Sequence, residues 1–181
     1  MGKIKGLAMI NAIKVLRLKK DEVRKLLPER LHVYLEERVM PSSWYPEEDH
    51  WELLRALAKV LPDPGMDVYE YMGLISARAD LGGVYAHLIR EGDPATTLRR
   101  ATFTWGLYHD TGKKEVVEFG DDYVVSEISG FENSSRESCS TVKGWNAELA
   151  KMAGGKNVEV VHSKCVLDGA SACRFEVKWT R

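Results

Sequence analysis

Three cysteines and one histidine in the C-terminal half have the residue types of a metal site. Cys139 comes first, His162 and Cys165 follow three positions apart, and Cys173 lies eight positions further on. Three thiolates and one imidazole make a complete tetrahedral ligand set for Zn²⁺. Because all four ligands would come from the protein, we predict a structural zinc site rather than a catalytic one.

The same residues have two other interpretations. Free cysteines behave as small buried apolar residues, and this spacing lacks the compact C-x-x-C pairs of ordinary zinc modules. A disulfide between Cys165 and Cys173 is the second alternative, since the turn "LDGAS" connects them. The chain has three cysteines, an odd number, so a complete disulfide framework is excluded. The spacing by itself leaves these alternatives open.

The elements that must position these residues change in character near residue 111. Before it, the apolar residues recur with a helical period and predict about five helices, among them one starting at Pro46 and a long one over residues 66–89. After it, alternating β-branched segments predict two strand pairs separated by a helix. We therefore predict a single α+β domain, with a helical half at 1–111 and an antiparallel β-β-α-β-β half at 112–181.

The predicted strands constrain the metal site. His162 and Cys165 are an odd number of positions apart, so in a regular strand they would face opposite ways. A shared site therefore needs a β-bulge or a strand end between them. The Asp-Gly turn of the second hairpin brings Cys165 near Cys173. Cys139 is expected at a helix N-terminus, which favours a thiolate.

The composition is that of a soluble globular protein. The 181 residues are 44% hydrophobic and 29% charged, and the net charge of −1 gives no indication of nucleic-acid binding. No apolar run approaches the roughly 20 residues that span a bilayer, and the N-terminus lacks a secretory cleavage site, so we expect a cytoplasmic protein. We find no phosphate loop, nucleophile elbow or His-Glu-x-x-His motif, and we predict no enzymatic activity.

Aromatic residues near the junction of the two halves are candidates for a ligand pocket. Trp105 and Tyr108 lie three positions apart on a predicted helix, so they are neighbours on one face. They would form an apolar wall for an aromatic or lipid-like ligand. Ordinary packing in the core is the alternative role for the same side chains.

The segments "CSTVKGW" and "HSKCVLDGASACRF" resemble the 4-vinyl-reductase domain family, and in particular its members at the N-terminus of phenol- and xylene-responsive transcription activators. The shared positions are Cys139, Gly144, Trp145, Cys165, Gly169 and Cys173. In those sensors the cysteines and an acidic residue bind zinc. This chain has His162 where they have Glu, which keeps a good zinc ligand at that position. The resemblance thus implies a zinc site made by Cys139, His162, Cys165 and Cys173.

The helical half is similar, through "KIKGLAMINAIKVLR" and "WYP", to small uncharacterised myxobacterial proteins. The wider superfamily includes TRAPP-type trafficking subunits and haem-based nitric-oxide sensors. This resemblance implies a cavity between the helices and the sheet, a homodimer and a protein partner. Tyr123 in "YVVSE" matches the aromatic residue that lines the sensors' pocket, and we assign Trp145 to the pocket with Trp105 and Tyr108.

Haem is a known cargo in that superfamily, and His109 is the candidate axial ligand by its position after the last long helix. However, the Tyr-x-Ser-x-Arg signature of the haem sensors is missing after Tyr123, where Val, Val, Ser and Glu follow. We therefore expect structural zinc and no haem. A helix C-terminal role for His109, interacting with the helix dipole, is the alternative.

The sequence predicts a non-enzymatic, zinc-stabilised domain that senses an apolar or aromatic ligand and acts through a partner protein. Nothing in the sequence encodes a recognisable DNA-binding or ATPase segment, so the output would pass through another chain. A TRAPP-like dimeric scaffold without a ligand is the second hypothesis. Reductase activity, suggested by the family name alone, is the weakest, because a fold does not determine a function.

Overall fold

The computed structural model describes residues 2–83 and 85–180. The α-helices of this part are α1 (Gly6–Leu18), α2 (Lys20–Arg24), α3 (Val33–Glu36), α4 (Glu47–Val60), α5 (Val68–Leu81), α6 (Pro94–Ala101), α7 (Trp105–Tyr108) and α8 (Arg136–Met152). The strands are β1 (Lys3–Lys5), β2 (Trp44–Pro46), β3 (Lys113–Phe119), β4 (Tyr123–Ser129), β5 (Lys156–Lys164) and β6 (Cys173–Thr180). Short 3-10 turns connect several of these elements.

The C-terminal part forms one antiparallel four-stranded sheet in the order β3-β4-β6-β5. The hairpins β3-β4 and β5-β6 are joined by α8, and β4 pairs with β6 to complete the sheet. Side chains of α8, including Leu149 and Ala150, pack with Val160 and Val177 of the sheet in one apolar cluster. The predicted α+β class, with helices first and a β-β-α-β-β unit after them, is confirmed.

A small second sheet was not predicted. Strand β1 pairs with β2, and Ile4 lies opposite Tyr45. Each strand has only three residues, too few to show an alternating pattern in the sequence. Helix α4 begins directly after Pro46, close to the predicted start.

Helix α5 is shorter than the sequence pattern suggests. It ends at Leu81, and Gly82 is its C-terminal cap. Extending the helix through two adjacent glycines is unfavourable, because glycine loses more backbone entropy in a helix than any other residue. The chain then passes into a 3-10 turn at Ala86–Leu88.

Helices α5 and α8 cross in close contact. A Cβ atom at Gly73 would overlap the carbonyl oxygen of Thr141, and a Cβ at Gly144 would overlap that of Glu70. Only glycine fits at these two positions, so the two backbones approach directly. This crossing ties the helical half to α8, which carries the first predicted metal ligand.

Within the described residues, no helix is both long and apolar enough to cross a membrane.

Candidate ligand cavity and metal centre

The four predicted metal ligands come together in the structure. One potential ligand atom from each of Cys139, His162, Cys165 and Cys173 lies within 4.8 Å of the other three. The sulfur of Cys173 is 3.9 Å from that of Cys139 and 4.0 Å from that of Cys165. A tetrahedral Zn²⁺ with bonds of about 2.3 Å to sulfur places its sulfur ligands about 3.8 Å apart. The cluster therefore has the dimensions of a zinc site.

All three cysteines are free and buried. A disulfide requires a sulfur–sulfur bond of about 2.05 Å. The Cys165–Cys173 disulfide considered from the sequence is thus not formed in this structure.

Local backbone features bring the ligands together. The register of β5 against β6 shifts between His162 and Lys164, which is the irregularity that the odd spacing required. Gly169 adopts a left-handed conformation with φ of 89°, so the chain turns back after the 3-10 turn Val166–Asp168. Cys139 lies in the first turns of α8, whose N-terminus is fixed by a capping box between Ser135 and Ser138.

Without a cation, burial disfavours the charged forms of the cluster's side chains. Burial raises the pKa of Cys139 well above its ordinary value, and it also raises the pKa of Cys173. Burial likewise lowers the pKa of His162, and the Nε2 atom of its ring is buried without a hydrogen-bond partner among the described residues. A bound cation reverses this balance, because it stabilises thiolates. The backbone N–H of Val166 already donates to the Cys173 sulfur at 3.5 Å.

A cavity of about 590 Å³ lies between the helical half and the sheet. Its walls come from α1, α4, α5, α7, α8 and β3, and they are mainly apolar. Representative wall residues are Ala12, Trp51, Leu54, Met72, Trp105 and Val142. The volume is within the range of about 300–1,000 Å³ that small-molecule sites occupy.

One wall of the cavity carries a histidine–carboxylate pair. The Nδ1 atom of His109 lies 3.0 Å and 3.1 Å from the two carboxylate oxygens of Glu47, which is fully buried. The imidazole stacks on Trp105, with ring centroids 4.2 Å apart. This contact joins the start of α4 to the end of α7. A helix C-terminal role for His109 was the alternative from the sequence, but the structure gives the ring a specific carboxylate partner.

Other polar groups lie on the same wall. His50 is buried, its Nδ1 atom has no hydrogen-bond partner among the described residues, and burial lowers its pKa to about 3. The imidazole is therefore neutral at physiological pH. Burial raises the pKa of Asp80 and that of Tyr108, whose hydroxyl lies near Asp80 without good hydrogen-bond geometry. Lys114 also faces this cavity from β3.

Three of the four predicted ligand-binding residues line the cavity: Trp105, Tyr108 and Trp145. Tyr123 is not among the lining residues. Its hydroxyl donates to Glu118 at 3.0 Å, and it borders a separate surface depression together with Arg174 and Trp179. The resemblance of "YVVSE" to the sensor segment therefore does not place Tyr123 on the wall of this cavity.

Sequence reasoning missed His50 and Lys114 as cavity residues. The alternation of β3 gave no signal for Lys114, because its face also carries Glu118 while Val117 and Phe119 lie on the other face. The pattern gave none for His50 either, since α4 is buried over most of its surface.

The metal cluster and the cavity share a wall. Ser138 and Val142 line the cavity and flank Cys139 on α8. Trp105 also lines the cavity and belongs to the apolar cluster that contains the three cysteines and Phe175. The aromatic ring of Phe175 stacks on His162, with centroids 4.5 Å apart and an interplanar angle of 8°. A metal at the cysteines would therefore fix part of the cavity wall.

No family model matches the sequence, and the search of curated proteins gave no significant match. Solved structures with a similar fold include H-NOX domains. An H-NOX domain from Shewanella oneidensis, described in its Fe(II)CO ligation state, has a TM-score of 0.70 at 16% identity, covering 98% of this chain and 99% of that one. An oxygen-binding H-NOX domain related to soluble guanylate cyclases, in its oxygen complex, has a TM-score of 0.67 at 14% identity, covering 98% and 96%. The chain thus has an H-NOX-like fold, in agreement with the predicted α+β class.

The sequence-based expectation of no haem, drawn from the missing Tyr-x-Ser-x-Arg signature, is contradicted by these comparisons. A further solved structure comes from work that probes the function of haem distortion in the H-NOX family. It has a TM-score of 0.69 at 14% identity, covering 98% of this chain and 96% of that one. The missing Tyr-x-Ser-x-Arg signature concerns a few local residues, whereas the fold depends on the whole pattern of buried residues. Its absence was therefore not a sufficient reason to exclude haem. The matches also provide no support for the narrower 4-vinyl-reductase resemblance, which stays a prediction.

Proposed function

We propose that this chain is a sensor domain that binds a small, largely apolar molecule in the cavity between its helical half and its sheet. The cavity itself carries the proposal, because about 590 Å³ of mainly apolar space with a few polar groups is the usual form of a small-molecule site. Binding there would bridge α1, α4 and α5 to α8 and the sheet. A change in occupancy would thus alter how the two halves pack, and no catalytic step forms part of this role.

Haem is a specific candidate for the bound molecule, and the residues present fit it. His109 holds its Nδ1 against the Glu47 carboxylate, which is how ligating histidines are usually oriented, and this leaves Nε2 as the ring atom for an iron. His50 supplies a second neutral imidazole on the cavity wall. When bound, haem would supply an iron centre able to ligate a diatomic gas.

We further propose that Cys139, His162, Cys165 and Cys173 bind one structural Zn²⁺. The dimensions of the cluster support this, together with the unpartnered Nε2 atom of His162. A cluster of three cysteines and one histidine is only a weak indication when considered alone. Its position matters more, because the ion would connect the start of α8 to the β5-β6 hairpin. The zinc would hold the cavity wall in place rather than react.

Transmission to a partner protein and formation of a homodimer remain predictions. The cavity favours a ligand-binding role over a scaffold whose interior is filled by its own side chains. Native mass spectrometry addresses the homodimer, because it reports the number of subunits together with the metal and any retained small molecule.

Haemin titration of the purified protein tests the ligand-binding proposal. We expect uptake of one equivalent, seen as a sharpened Soret band, and a shift of that band in the His109→Leu variant if His109 holds the iron. If haem is not the ligand, native mass spectra should show a different retained molecule, or an apolar aromatic probe should bind stoichiometrically. A protein that retains nothing and binds neither haemin nor such a probe would contradict the proposal.

A further inference from the structure

Lys114 is a cation on the wall of a mainly apolar cavity. It lies on β3 at a position that faces the cavity, next to Val116 on the same face, whereas its neighbour Lys113 points outward and forms a surface ion pair with Glu115. A lysine on the inward face of a strand is uncommon, because long charged side chains are rarely placed in an apolar interior. Its presence there requires an explanation.

In the part of the chain that the structure describes, the ammonium group of Lys114 has one hydrogen-bond partner, which is neutral. Its Nζ atom donates to the side-chain oxygen of Asn146 at 2.7 Å and lies 5.7 Å from the ring centroid of Trp145. Among the described residues it forms no ion pair with a carboxylate. Two other cations at α8 differ, since Lys143 pairs with Glu70 and Arg78 pairs with Glu148.

Burial of an ammonium without a counter-charge is unfavourable. It lowers the pKa of Lys114 to about 8, and desolvation is the cause. A carboxylate beside it would offset that cost and form a charge-assisted hydrogen bond. Lys14, a second lysine on the cavity wall, lies exposed on α1, where water and salt screen its charge.

We propose that Lys114 is a specificity-determining residue, and that the cavity selects apolar molecules that carry a carboxylate. The acid group would bind the Lys114 ammonium beside Asn146, and the apolar body would contact the aromatic wall formed by Trp105 and Trp145. The ligand class is thus an apolar carboxylic acid. This inference rests on the proposed function, in that it assumes a ligand in the cavity.

A matched pair of fluorescent probes tests it. 1-Pyrenebutyric acid and 1-pyrenebutanol have the same flat apolar body and differ in the carboxylate. Titrated into the full chain near pH 7, the acid should bind about ten- to a hundredfold more tightly than the alcohol, which corresponds to a charged hydrogen bond of about 1.5–3 kcal/mol. In Lys114→Met this preference should fall to about onefold while the alcohol binds as before.

Lys113→Met is the control, because it removes a lysine from the adjacent position on the outer face of the same strand, and it should keep the preference for the acid. Lys114→Gln gives a second test with a polar but uncharged side chain, and it should lose the preference as Lys114→Met does. Equal affinity for both probes in the unmodified protein, or an unchanged preference in Lys114→Met and Lys114→Gln, would overturn the inference while leaving the cavity proposal intact. Absence of binding by either probe would also overturn this inference, and it would contradict the proposed function only if the protein binds no haemin and retains no molecule either.

Discussion

Gly73 on α5 and Gly144 on α8 lie at the crossing of the two helices, and each faces a backbone carbonyl of the opposite helix. No side chain separates the backbones there. The crossing joins the helix that carries Asp80 and part of the cavity to the helix that begins beside the metal cluster. The position of α8 relative to α5 therefore affects both candidate sites.

A methyl group at this crossing should destabilise the protein. Gly144→Ala would place a Cβ on the carbonyl oxygen of Glu70, so the helices must separate, at a cost of about 1–3 kcal/mol of unfolding free energy. Urea unfolding followed by circular dichroism measures this change. Gly106→Ala is the control, because nothing lies within 4 Å of a Cβ at that position. Equal stability of the two variants would show that the crossing tolerates a side chain.

Loss of one metal ligand should release zinc and destabilise the fold. For Cys173→Ser we expect zinc content to fall from one ion per chain to almost none. The melting temperature should fall by on the order of 10 °C, since a structural ion contributes several kcal/mol. His162→Ala should behave similarly, whereas His87→Ala, which changes an exposed histidine outside the cluster, should retain the ion. Native mass spectrometry and thermal unfolding provide the two readings. Protein purified without chelators that contains no zinc would contradict this prediction.

The buried His50 should make stability depend on pH. Its pKa is about 3 in the folded protein and 6.5 when unperturbed, so the unfolded chain binds a proton that the folded chain does not. Stability from this group is present above pH 6.5 and is lost as the pH falls from there towards 3. Between about pH 6 and pH 5 the loss is about 1 kcal/mol.

The comparison with His50→Leu isolates this contribution. Unfolding free energies measured in urea at both pH values should decrease less in the variant, and the difference should be about 1 kcal/mol. His87→Leu serves as the control and should keep the original dependence, because His87 is exposed. Parallel pH profiles for the unmodified protein and His50→Leu would show that His50 does not stay neutral on folding.

Much of the cysteine–histidine cluster was predictable because three of its four residues lie on one hairpin. The Asp-Gly turn brings Cys165 to Cys173, and the odd spacing of His162 and Cys165 required a bulge, which the structure has. The order of elements was also predictable, since each long segment has a clear helical or alternating period. Glycines and a proline marked several of the boundaries correctly.

The cavity contacts were not predictable, because they join residues far apart in the sequence. Glu47 looked like an acid in an exposed first turn of α4, yet it is fully buried against His109, which lies 62 positions later. Lys114 looked like a solvent-facing lysine of a surface strand. In both cases the side chain's role depends on tertiary packing, and a local pattern contains no information about which face another element will cover.

The central claim is that the cavity binds an apolar molecule, and a substitution that fills it tests the claim most directly. Ala12 lines the cavity from α1, so Ala12→Phe should occupy part of the space, whereas Ala86→Phe adds the same ring at an exposed position outside it. Fluorescence titration with 1-pyrenebutyric acid should give one site per chain in the unmodified protein and in Ala86→Phe. In Ala12→Phe the affinity should be at least about tenfold weaker, as expected for the loss of one or two buried methylene-sized contacts. Undiminished binding in Ala12→Phe, or no binding in the unmodified protein, would contradict the account.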